Sequence, residues 1–542
     1  MIEFITNFPT TAEFETAEPN LVKPHVSYTK DNTKVHYIQY NDPRVIAKYD
    51  VKSTSEPTKL CYSGGLSTYA SIEIDGVTQQ SVVSEYTFST TGVHTVGYNL
   101  NNGASLSSLA FRDCTDLIKV KIPNSVTAIR YDSFRNCSGL TECKIGSGVT
   151  SIGNNVFDGC INLSAITIPN SVTNIENYVF YNCSALTDCK MSANVTNIGR
   201  DAFFGCIGLK SIKIPKTLTT LGNNAFRKCS GLTSIEIPDG VTSIAYETFK
   251  ECTNLTNCSI GSGVTLISDN AFDGCVNLMA IEIPEGVTSI NKYAFNNCSG
   301  LTSCTISSNV TSIGAYAFSR CYNIPHIDLP NTLTSIGNNA FYNCFNLEGI
   351  DIPDSVSAIS YNAFYGCSGL TRCIIGDGVE SIGLNAFSGC SNIVDFKIGS
   401  GVTSIDGSAF SGCKNINKIE IPDSVVSIGA SAFYGCSAAT YCIVGDSVSG
   451  ISNNAFQNCS SMSSCTIGSG VTTIGGDVFN GCTNMTTLIS KATTAPSVVY
   501  NSFRSVADNG VLHVPVGSSG YDTWMQDASF YLGQRGWTKT EE

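Results

Sequence analysis

Charged residues are scarce in this sequence, and long apolar runs are missing. Asp, Glu, Lys and Arg make up 14% of the 542 residues, with a formal net charge of −13, against about 25% charged residues in an average soluble protein. Disordered chains and polybasic nucleic-acid binders both require dense charge, so the sequence predicts a folded protein that binds no nucleic acid. No run of about 18 apolar residues occurs, and the N-terminus lacks the basic and apolar regions of a signal peptide. We therefore expect no membrane insertion and no export signal.

Histidine is also rare, which limits acid–base chemistry. The five histidines are scattered one per region: His25, His36, His94, His326 and His513. None stands in a recognisable catalytic motif, and the sequence contains no G-x-S-x-G, H-E-x-x-H, Walker or G-x-G-x-x-G element in a supporting context. The repeated part of the chain has no C-x-x-C, and a column of parallel thiols does not make a tetrahedral metal site. The sequence thus predicts no enzyme, no catalytic residue, no cofactor and no metal.

Cysteine, in contrast, is abundant, and its spacing is regular. Phe-x-x-Cys recurs every 23 residues in 17 copies, from Phe111/Cys114 to Phe479/Cys482, and Val506 replaces the Cys of a further degenerate copy. Counted from each Cys, apolar residues recur at +3, +6, +8, +12, +15 and +20. One unit cannot bury that set alone, so the units must stack on one another.

Each unit predicts one short strand and one tight arch. The T-x-I-x-I segment alternates with period 2 and is β-branched, and Pro or Gly at +9 ends it, because proline lacks the hydrogen-bond donor of a ladder. The other half, such as residues 336–344, has Gly-Asn turn chemistry and is too short for a stable helix. We therefore expect a β-rich solenoid with a parallel strand ladder.

The pattern L-x-x-I-x-I-P-x-x-V-x-x-I-x-x-x-A-F-x-x-C resembles the 23-residue leucine-rich repeat of the BspA-like family. The resemblance covers residues of about 103 to 490. It implies a leucine-rich-repeat solenoid and a surface binding or adhesion protein, with partners that differ from member to member.

A longer period is superimposed on the 23-residue unit. The +9 residue runs Pro123, Gly146, Pro169, Ser192, Pro215 and then repeats this order from residue 238. Five units, or 115 residues, thus form a second-order repeat. Growth by duplication of such blocks multiplies one surface motif instead of building a unique pocket.

The two ends of the chain differ from the array. Residues 1–45 form a leader or attachment segment with a hairpin pattern around Asp31 and Asn32, and residues 46–102 predict a small β-sandwich-like module. Within that module, residues 86–96 resemble the last two strands of an immunoglobulin-like or PKD-like domain. Residues 103–490 are the solenoid. Residues 491–542 contain both tryptophans and predict a C-terminal cap with a strand at 511–516 and a short helix near 521–526.

The cysteines of the array occupy two repeat positions. Seventeen define position 0, and seven lie at +6, where other units carry Ile, Val, Leu or Phe: Cys143, Cys189, Cys258, Cys304, Cys373, Cys442 and Cys465. A position shared with Ile is a core position, so we expect a buried ladder of thiols. Each Cys would have two equivalent neighbours, so the sequence specifies no unique disulfide pairing.

The candidate binding surface is the strand face at +5 and +7, which should point away from the buried +6 and +8. Its charges change sign along the array at +7, from basic to acidic: Lys121, Lys144, Lys190 and Lys213, then Glu236, Glu282, Asp328 and Asp351. One interpretation is a solvated face that resists edge aggregation. The other, which we adopt as a hypothesis, is a polarised face that docks a partner or a neighbouring subunit.

The expected function is host attachment by a bacteriophage. Because no export signal is expected, and because the arrangement before the array resembles virion proteins of gut phages, we expect a phage tail or fibre component. Its N-terminal region would bind other virion proteins, and its array would bind a host cell-surface protein or glycan; a homo-oligomer is compatible with this role. The alternatives are a bacterial or protist cell-surface adhesin of the BspA-like type, and a structural spacer or virion decoration without a ligand.

Overall fold

The computed structural model describes residues 26–31, 34–39, 42–101, 105–499, 501–526 and 532–542, the first two ranges as backbone only. The chain divides into two compact units, Met1–Thr173 and Asn174–Glu542, which we call the N-terminal and C-terminal units. In the described ranges the regular structure is made of short strands, with 3-10 turns at Ser63–Thr68, Tyr521–Thr523 and Leu532–Arg535. Among these residues no helix has the length and apolar character needed to cross a membrane.

The N-terminal unit begins with the hairpin that the sequence predicts. Strands β1 (Val26–Asp31) and β2 (Lys34–Gln39) pair antiparallel, with Asp31 opposite Lys34. The two residues of the turn between them lie outside the described residues.

The small module that follows is built on one antiparallel sheet. Its strands are β3 (Val45–Val51), β4 (Thr58–Lys59), β5 (Tyr69–Ile74), β6 (Val77–Thr78), β7 (Glu85–Tyr86) and β8 (Gly92–Leu100). The sheet has the order β6-β5-β8-β3, and β4 pairs with β7 separately. The buried phenol oxygens of Tyr49 and Tyr98 lie 2.5 and 2.7 Å from the carbonyl oxygen of Leu60, and burial raises the pKa of both phenols. An immunoglobulin-like or PKD-like type for this module stays a prediction.

The module also covers the first strand of the array. Strands β9 (Ser105–Leu106), β10 (Leu117–Lys121), β11 (Ala128–Ile129), β12 (Glu142–Lys144), β13 (Ser151–Ile152) and β14 (Ala165–Thr167) complete this unit. On one side β10 pairs parallel with β12, and on the other it pairs antiparallel with β3, with Val120 opposite Ala47. An open strand edge invites pairing with other chains, and β3 closes it. One sheet therefore runs across the boundary predicted at residue 102.

Most coils contain two strands, whereas the sequence predicted one; among the described residues, the coils that begin at Cys206 and Cys321 have only the second strand. The second strand is only two residues long, as at β11 and β13, and forms its own parallel ladder with Ile129 opposite Ile152. Two residues are too few to show a period-2 pattern, so the sequence signal for this strand is absent.

The C-terminal unit repeats the same two ladders. The longer strands of its coils, the first ladder, are Asp188–Lys190, Ser234–Ile237, Asn257–Ile260, Ala280–Glu282, Ser303–Thr305, Gly349–Ile352, Arg372–Ile375, Asp395–Lys397, Ile419–Glu420, Tyr441–Ile443, Ser464–Ile467 and Thr487–Ser490. The two-residue strands of the second ladder are Asn174–Ile175, Asn197–Ile198, Thr220–Leu221, Ser243–Ile244, Leu266–Ile267, Ser289–Ile290, Ser312–Ile313, Ser335–Ile336, Ala358–Ile359, Ser381–Ile382, Ser404–Ile405, Ser427–Ile428, Gly450–Ile451, Thr473–Ile474 and Ser497–Val498.

The interior of each coil is filled by the residues that the repeat predicts. In one coil, Cys252, Leu255, Val264, Ile267 and Phe272 are all fully buried. The +20 phenylalanine rings of successive coils stack, for example Phe272 on Phe295 at a centroid distance of 5.2 Å and an interplanar angle of 6°. Such aromatic pairs contribute about 0.5–1.5 kcal/mol beyond their burial. The predicted core columns are thus confirmed.

The arches depend on two backbone positions per coil with positive φ. In one arch these are Asn270, at +18 with φ of 58°, and Gly274, at +22 with φ of 76°. Glycine and asparagine adopt this left-handed conformation at the least cost, which explains why Asn and Gly are frequent at +18 and +22.

The C-terminal unit ends with strands Val511–Val514 and Thr538–Glu541, which extend the first ladder in parallel. Trp524 is buried against Phe503, the last ring of the phenylalanine column, at a centroid distance of 5.3 Å. Its indole N–H donates to the carbonyl oxygen of Pro496 at 3.2 Å. A large buried side chain thereby covers the last apolar coil, as a solenoid requires.

Candidate binding surface

The strand face has the orientation that the sequence predicts. In the strand Ser234–Ile237 exposed and buried residues alternate, so that Glu236 points outward while Ile235 and Ile237 are buried. The next strand of the first ladder pairs in register with it, with Glu236 opposite Ser259. The +7 side chains therefore form a row on the outer surface, one per coil, about 4.8 Å apart.

In the N-terminal unit, two predicted lysines are direct neighbours. Lys121 on β10 lies opposite Lys144 on β12, and like charges at such positions repel. Glu142 reduces this repulsion, because its carboxylate contacts Lys119 at 3.0 Å and Lys144 at 3.1 Å. Hydrogen bonds from Lys119 and then Lys144 lower the pKa of Glu142. Lys121 and Lys144 also line a cleft of about 360 Å³.

In the C-terminal unit, the basic end of the row consists of Lys190 and Lys213. Lys190 and Lys213 are both exposed, and within the described ranges neither has a carboxylate at ion-pair distance. Their ammonium groups are therefore available to a binding partner.

The acidic residues of the row in this unit are exposed as well. Among described residues Glu236 and Glu282 have no cationic partner, whereas Asp328 contacts His326 at 2.8 Å. Arg372 bridges Asp351, at 3.0 Å, to Asp395, at 2.7 Å. The predicted side chains thus lie on separate coils, with Ser259 and Thr305 at +7 between acidic ones, and do not converge on one point. Lys213 and Asp328 lie outside the strands of the first ladder.

Two columns of hydroxyl groups flank the strands, and these hydroxyls form hydrogen bonds between coils. At +4, the Thr256 hydroxyl donates to the carbonyl oxygen of Thr233 at 3.0 Å. At +13, the Thr265 hydroxyl donates to the carbonyl oxygen of Thr242 at 3.2 Å. These hydroxyls join one coil to the preceding one, so they are less available to a ligand than the sequence indicated.

The thiols of position 0 are buried hydrogen-bond donors. Cys275 Sγ lies 3.1 Å from the carbonyl oxygen of Phe249, which also accepts the backbone N–H of Cys252 at 3.1 Å. All 25 cysteines are buried. Desolvation raises the pKa of Cys436 at position 0, and of Cys258 and Cys304 at +6, to about 12. A thiol held in this way is neutral at physiological pH and unreactive.

The histidines that the structure describes are each paired with a carboxylate. The distances are 2.7 Å for His94–Asp75, 2.8 Å for His326–Asp328 and 2.6 Å for His513–Glu542. His25 and the side chain of His36 lie outside the described residues. In the described part of the chain, no three His, Cys, Asp or Glu side chains are grouped so that they could hold a metal ion.

An ion-pair network on the arches follows the 115-residue period, and sequence reasoning missed it. The acidic residues Asp132 and Glu247 are buried in it. The pairs are Arg112–Asp132 at 3.5 Å and Arg135–Asp158 at 3.0 Å in the N-terminal unit, and Arg227–Glu247 and Lys250–Asp273 at 3.1 Å in the C-terminal unit. Each residue of the second set follows its counterpart by 115 positions, so block duplication has copied an interaction as well as a sequence.

Most aromatic side chains beside the Cys pack on one another. Tyr181 stacks on Phe204 with centroids 4.7 Å apart, and Tyr342 stacks on Tyr365 at 5.1 Å. Tyr434 remains exposed. Three further tyrosines, at +17, are also exposed. The 23-residue pattern does not predict them, because they follow the 115-residue period.

These features define a leucine-rich-repeat solenoid with an outward strand face. The BspA type leucine rich repeat region matches the chain in six copies, over residues 104–233, 173–302, 219–334, 288–417 and 380–506. The chain belongs to the BspA-type leucine-rich repeat family, as the repeat pattern predicted. Proteins of this family are typically non-enzymatic binding proteins.

Several solved leucine-rich repeat proteins are similar to this chain. One from Bacteroides ovatus is 24% identical, with 78% of this chain and 94% of that chain covered and a TM-score of 0.44. One from Eubacterium ventriosum is 23% identical, with 58% and 89% covered and a TM-score of 0.38. A leucine rich cell surface protein from Faecalibacterium prausnitzii is 23% identical, with 67% and 85% covered and a TM-score of 0.29. No curated protein matches the chain.

Proposed function

We propose that this protein is a non-enzymatic adhesion protein whose repeat array binds a cell surface. The observation that carries the proposal is the exposed +7 row of the C-terminal unit, where Lys190 and Lys213 on adjacent coils precede Glu236 and Glu282, which have Ser259 between them. Equivalent groups at a regular spacing suit multivalent binding, in which many weak contacts add up to useful avidity.

The arrangement of potential catalytic groups supports a binding role. The +7 side chains stand apart on successive coils, His326 is held by Asp328, and the thiols are buried. A nucleophile and its base must lie within hydrogen-bond reach of each other. The described residues that could act as nucleophile or base are distributed along the ladders and do not form one cluster.

Charge reversal at the basic end of the row tests the proposal. The full chain carrying Lys190→Glu and Lys213→Glu should bind intact bacterial cells at least tenfold more weakly than the unchanged protein, because attraction becomes repulsion. The matched control carries Lys414→Glu and Arg504→Glu, which make the same change in net charge at exposed positions away from the row. Equal binding by the two double variants, measured by flow cytometry, would remove the row from the proposal.

A finer proposal concerns where the protein resides. The cell-surface location is supported by the family, and the virion location, as a phage tail or fibre component, by the order of segments in the sequence alone. In the virion case the N-terminal region binds other virion proteins, the array binds a host surface protein or glycan, and the chain can associate with further copies of itself. Mass spectrometry of purified virions and of washed cell envelopes separates the two locations, and absence from virions would end the phage proposal.

The remaining alternative is a spacer without a ligand. A spacer predicts no saturable binding of the full chain to any cell, whereas an adhesin predicts saturable binding that excess unlabelled protein displaces.

A further inference from the structure

An exposed tyrosine occupies position +17 at three places that lie 115 residues apart, and the next such place in the array is Gly476. Tyr131 lies in the N-terminal unit, and Tyr246 and Tyr361 lie in the C-terminal unit. Their exposed fractions are 53%, 44% and 44%. All other +17 residues of the array are Asn, Arg, Asp, Lys, Ala, Gly or Leu. The block duplication has therefore reproduced an exposed aromatic ring at a defined place on the surface.

The main chain of these tyrosines is held in a defined position. The carbonyl oxygen of Tyr246 accepts the N–H of Asn224 at 2.9 Å, and that of Tyr361 accepts the N–H of Asn339 at 2.9 Å. Each tyrosine is thereby fixed to the preceding coil, while its ring projects into solvent. Tyrosine has two side-chain torsions and supplies a large contact area at a low entropy cost, which makes an exposed tyrosine on an ordered main chain an effective anchor for a ligand.

Hydrogen-bonding side chains stand beside each ring in the C-terminal unit. Asn223 and Asp269 occupy +17 on the coils before and after Tyr246, and Asn338 occupies it on the coil before Tyr361. Both asparagines are exposed. Amide and carboxylate groups bind hydroxyls, and an aromatic face covers apolar C–H groups. A sugar ring offers both kinds of surface at once.

The spacing of the tyrosines indicates an extended ligand. Five coils at a strand spacing of about 4.8 Å separate Tyr246 from Tyr361 by about 24 Å. Neither tyrosine lines the clefts at Lys121 or at Asn346, whose volumes are about 360 and 420 Å³. A ligand that contacts both rings must lie along the surface, and a polymer meets equivalent contacts at intervals.

We propose that Tyr246 and Tyr361 are two contact points for one linear polysaccharide of a cell envelope. This inference rests on the proposed adhesion function and specifies the class of ligand. Because the two contacts act on one polymer, losing one ring weakens binding, and losing both removes the gain from simultaneous contact.

The test measures binding of the full chain to purified bacterial cell envelopes that are untreated, trypsin-treated or periodate-oxidised. We expect binding that survives trypsin and is lost after periodate, which cleaves sugar diols. Tyr246→Ala and Tyr361→Ala should each weaken binding about two- to tenfold, and the double variant by at least the product of the two factors. Tyr434→Ala, which removes an exposed tyrosine at a different repeat position, is the matched control and should bind normally.

The outcomes are distinguishable. If the unchanged protein binds none of the envelopes, the proposed function fails and this inference fails with it. If it binds but the double variant binds equally well, or if trypsin abolishes binding, the adhesion function stands and the polysaccharide inference is overturned. Unchanged thermal unfolding of each variant confirms that the exposed substitutions leave the fold intact.

Discussion

The two columns of cysteine in the array differ in how strictly they require sulfur. Position 0, in the arch, is Cys in 17 successive units, whereas +6, in the strand, alternates between Cys and apolar residues. Cys252 at position 0 places its Sγ 3.1 Å from the carbonyl oxygen of Phe226 in the preceding coil. Cys258 at +6 is buried beside Ile235 in the adjacent strand, and no hydrogen bond of its thiol is found among the described residues.

The difference shows that burial alone does not determine the residue type. In a strand the ladder satisfies the backbone, so any side chain of suitable size fills +6. In the arch the carbonyl oxygen of a phenylalanine can accept a second hydrogen bond. Cysteine is small and apolar enough to be buried there, and its thiol is a weak donor that can supply this hydrogen bond. The residues of position 0 therefore join adjacent coils, whereas those of +6 fill space.

We expect the largest loss of stability at alkaline pH, which ionises the thiols of both columns. Burial raises the pKa of Cys436 at position 0, and of Cys189, Cys258 and Cys304 at +6, from 9.0 to about 12. A thiol with a raised folded-state pKa contributes its full stability below pH 9, and this contribution is lost as the pH rises from 9 to about 12. We expect cooperative unfolding in that window, seen as loss of the far-ultraviolet β signal together with rising thiolate absorbance. A chain that keeps its β signal at pH 12 would contradict this.

Removal of a ring beside the thiols should have the next largest effect. Phe272 is fully buried and stacks on Phe249 at 5.3 Å and on Phe295 at 5.2 Å. Phe272→Ala opens a cavity in the column and should lower the free energy of unfolding by about 3–5 kcal/mol. Urea unfolding measures the change, and a loss below about 1 kcal/mol would show that the coils relax around the gap.

The comparison of the two columns is tested directly by two valine variants. Cys252→Val removes the thiol donor to Phe226 and introduces a branched side chain, so it should cost about 1–3 kcal/mol. Cys258→Val places an apolar side chain at a position that holds Ile in the preceding coil, and should cost less than about 1 kcal/mol. Equal losses in urea unfolding would mean that the hydrogen bond does not distinguish the columns.

We expect the smallest effect at +7, the outward-facing position that follows the +6 column. Glu282 is exposed, whereas its neighbour Ile281 is buried. Glu282→Gln should change the free energy of unfolding by no more than about 0.5 kcal/mol. A larger change would show that the charge of this row contributes to stability, which would weaken its assignment to binding.

Much of the fold could be predicted because the repeat is regular. The spacing of Leu255, Val264 and Phe272 from Cys252 identifies the buried columns, since one side-chain position recurs on every coil. The second strand of each coil could not be found, because two residues such as Leu266–Ile267 contain no complete period. The alanine at +19 is part of the repeat pattern but was not assigned to the core, in which Ala271 is fully buried.

The candidate surface was predicted in part. The outward direction of Glu236 follows from the alternation of its strand, whereas the ion pairs of Asp351 and Asp328 depend on side-chain positions that the repeat does not specify. The arch network around Glu247 and the exposed ring of Tyr246 were missed for a related reason. Both features follow the 115-residue period, and a pattern that treats every 23-residue unit as equivalent does not show them.

By itself, the sequence determined the register of the array, its buried columns and its membership of a repeat family, because each depends on one spacing that recurs without a slip. Only the tertiary structure decided what each position does. It shows that the arch thiol bonds to the preceding coil, that threonine hydroxyls are used between coils, and that β3 closes the first strand edge. These are contacts between residues on different coils or strands, and their geometry exists only once the chain has folded.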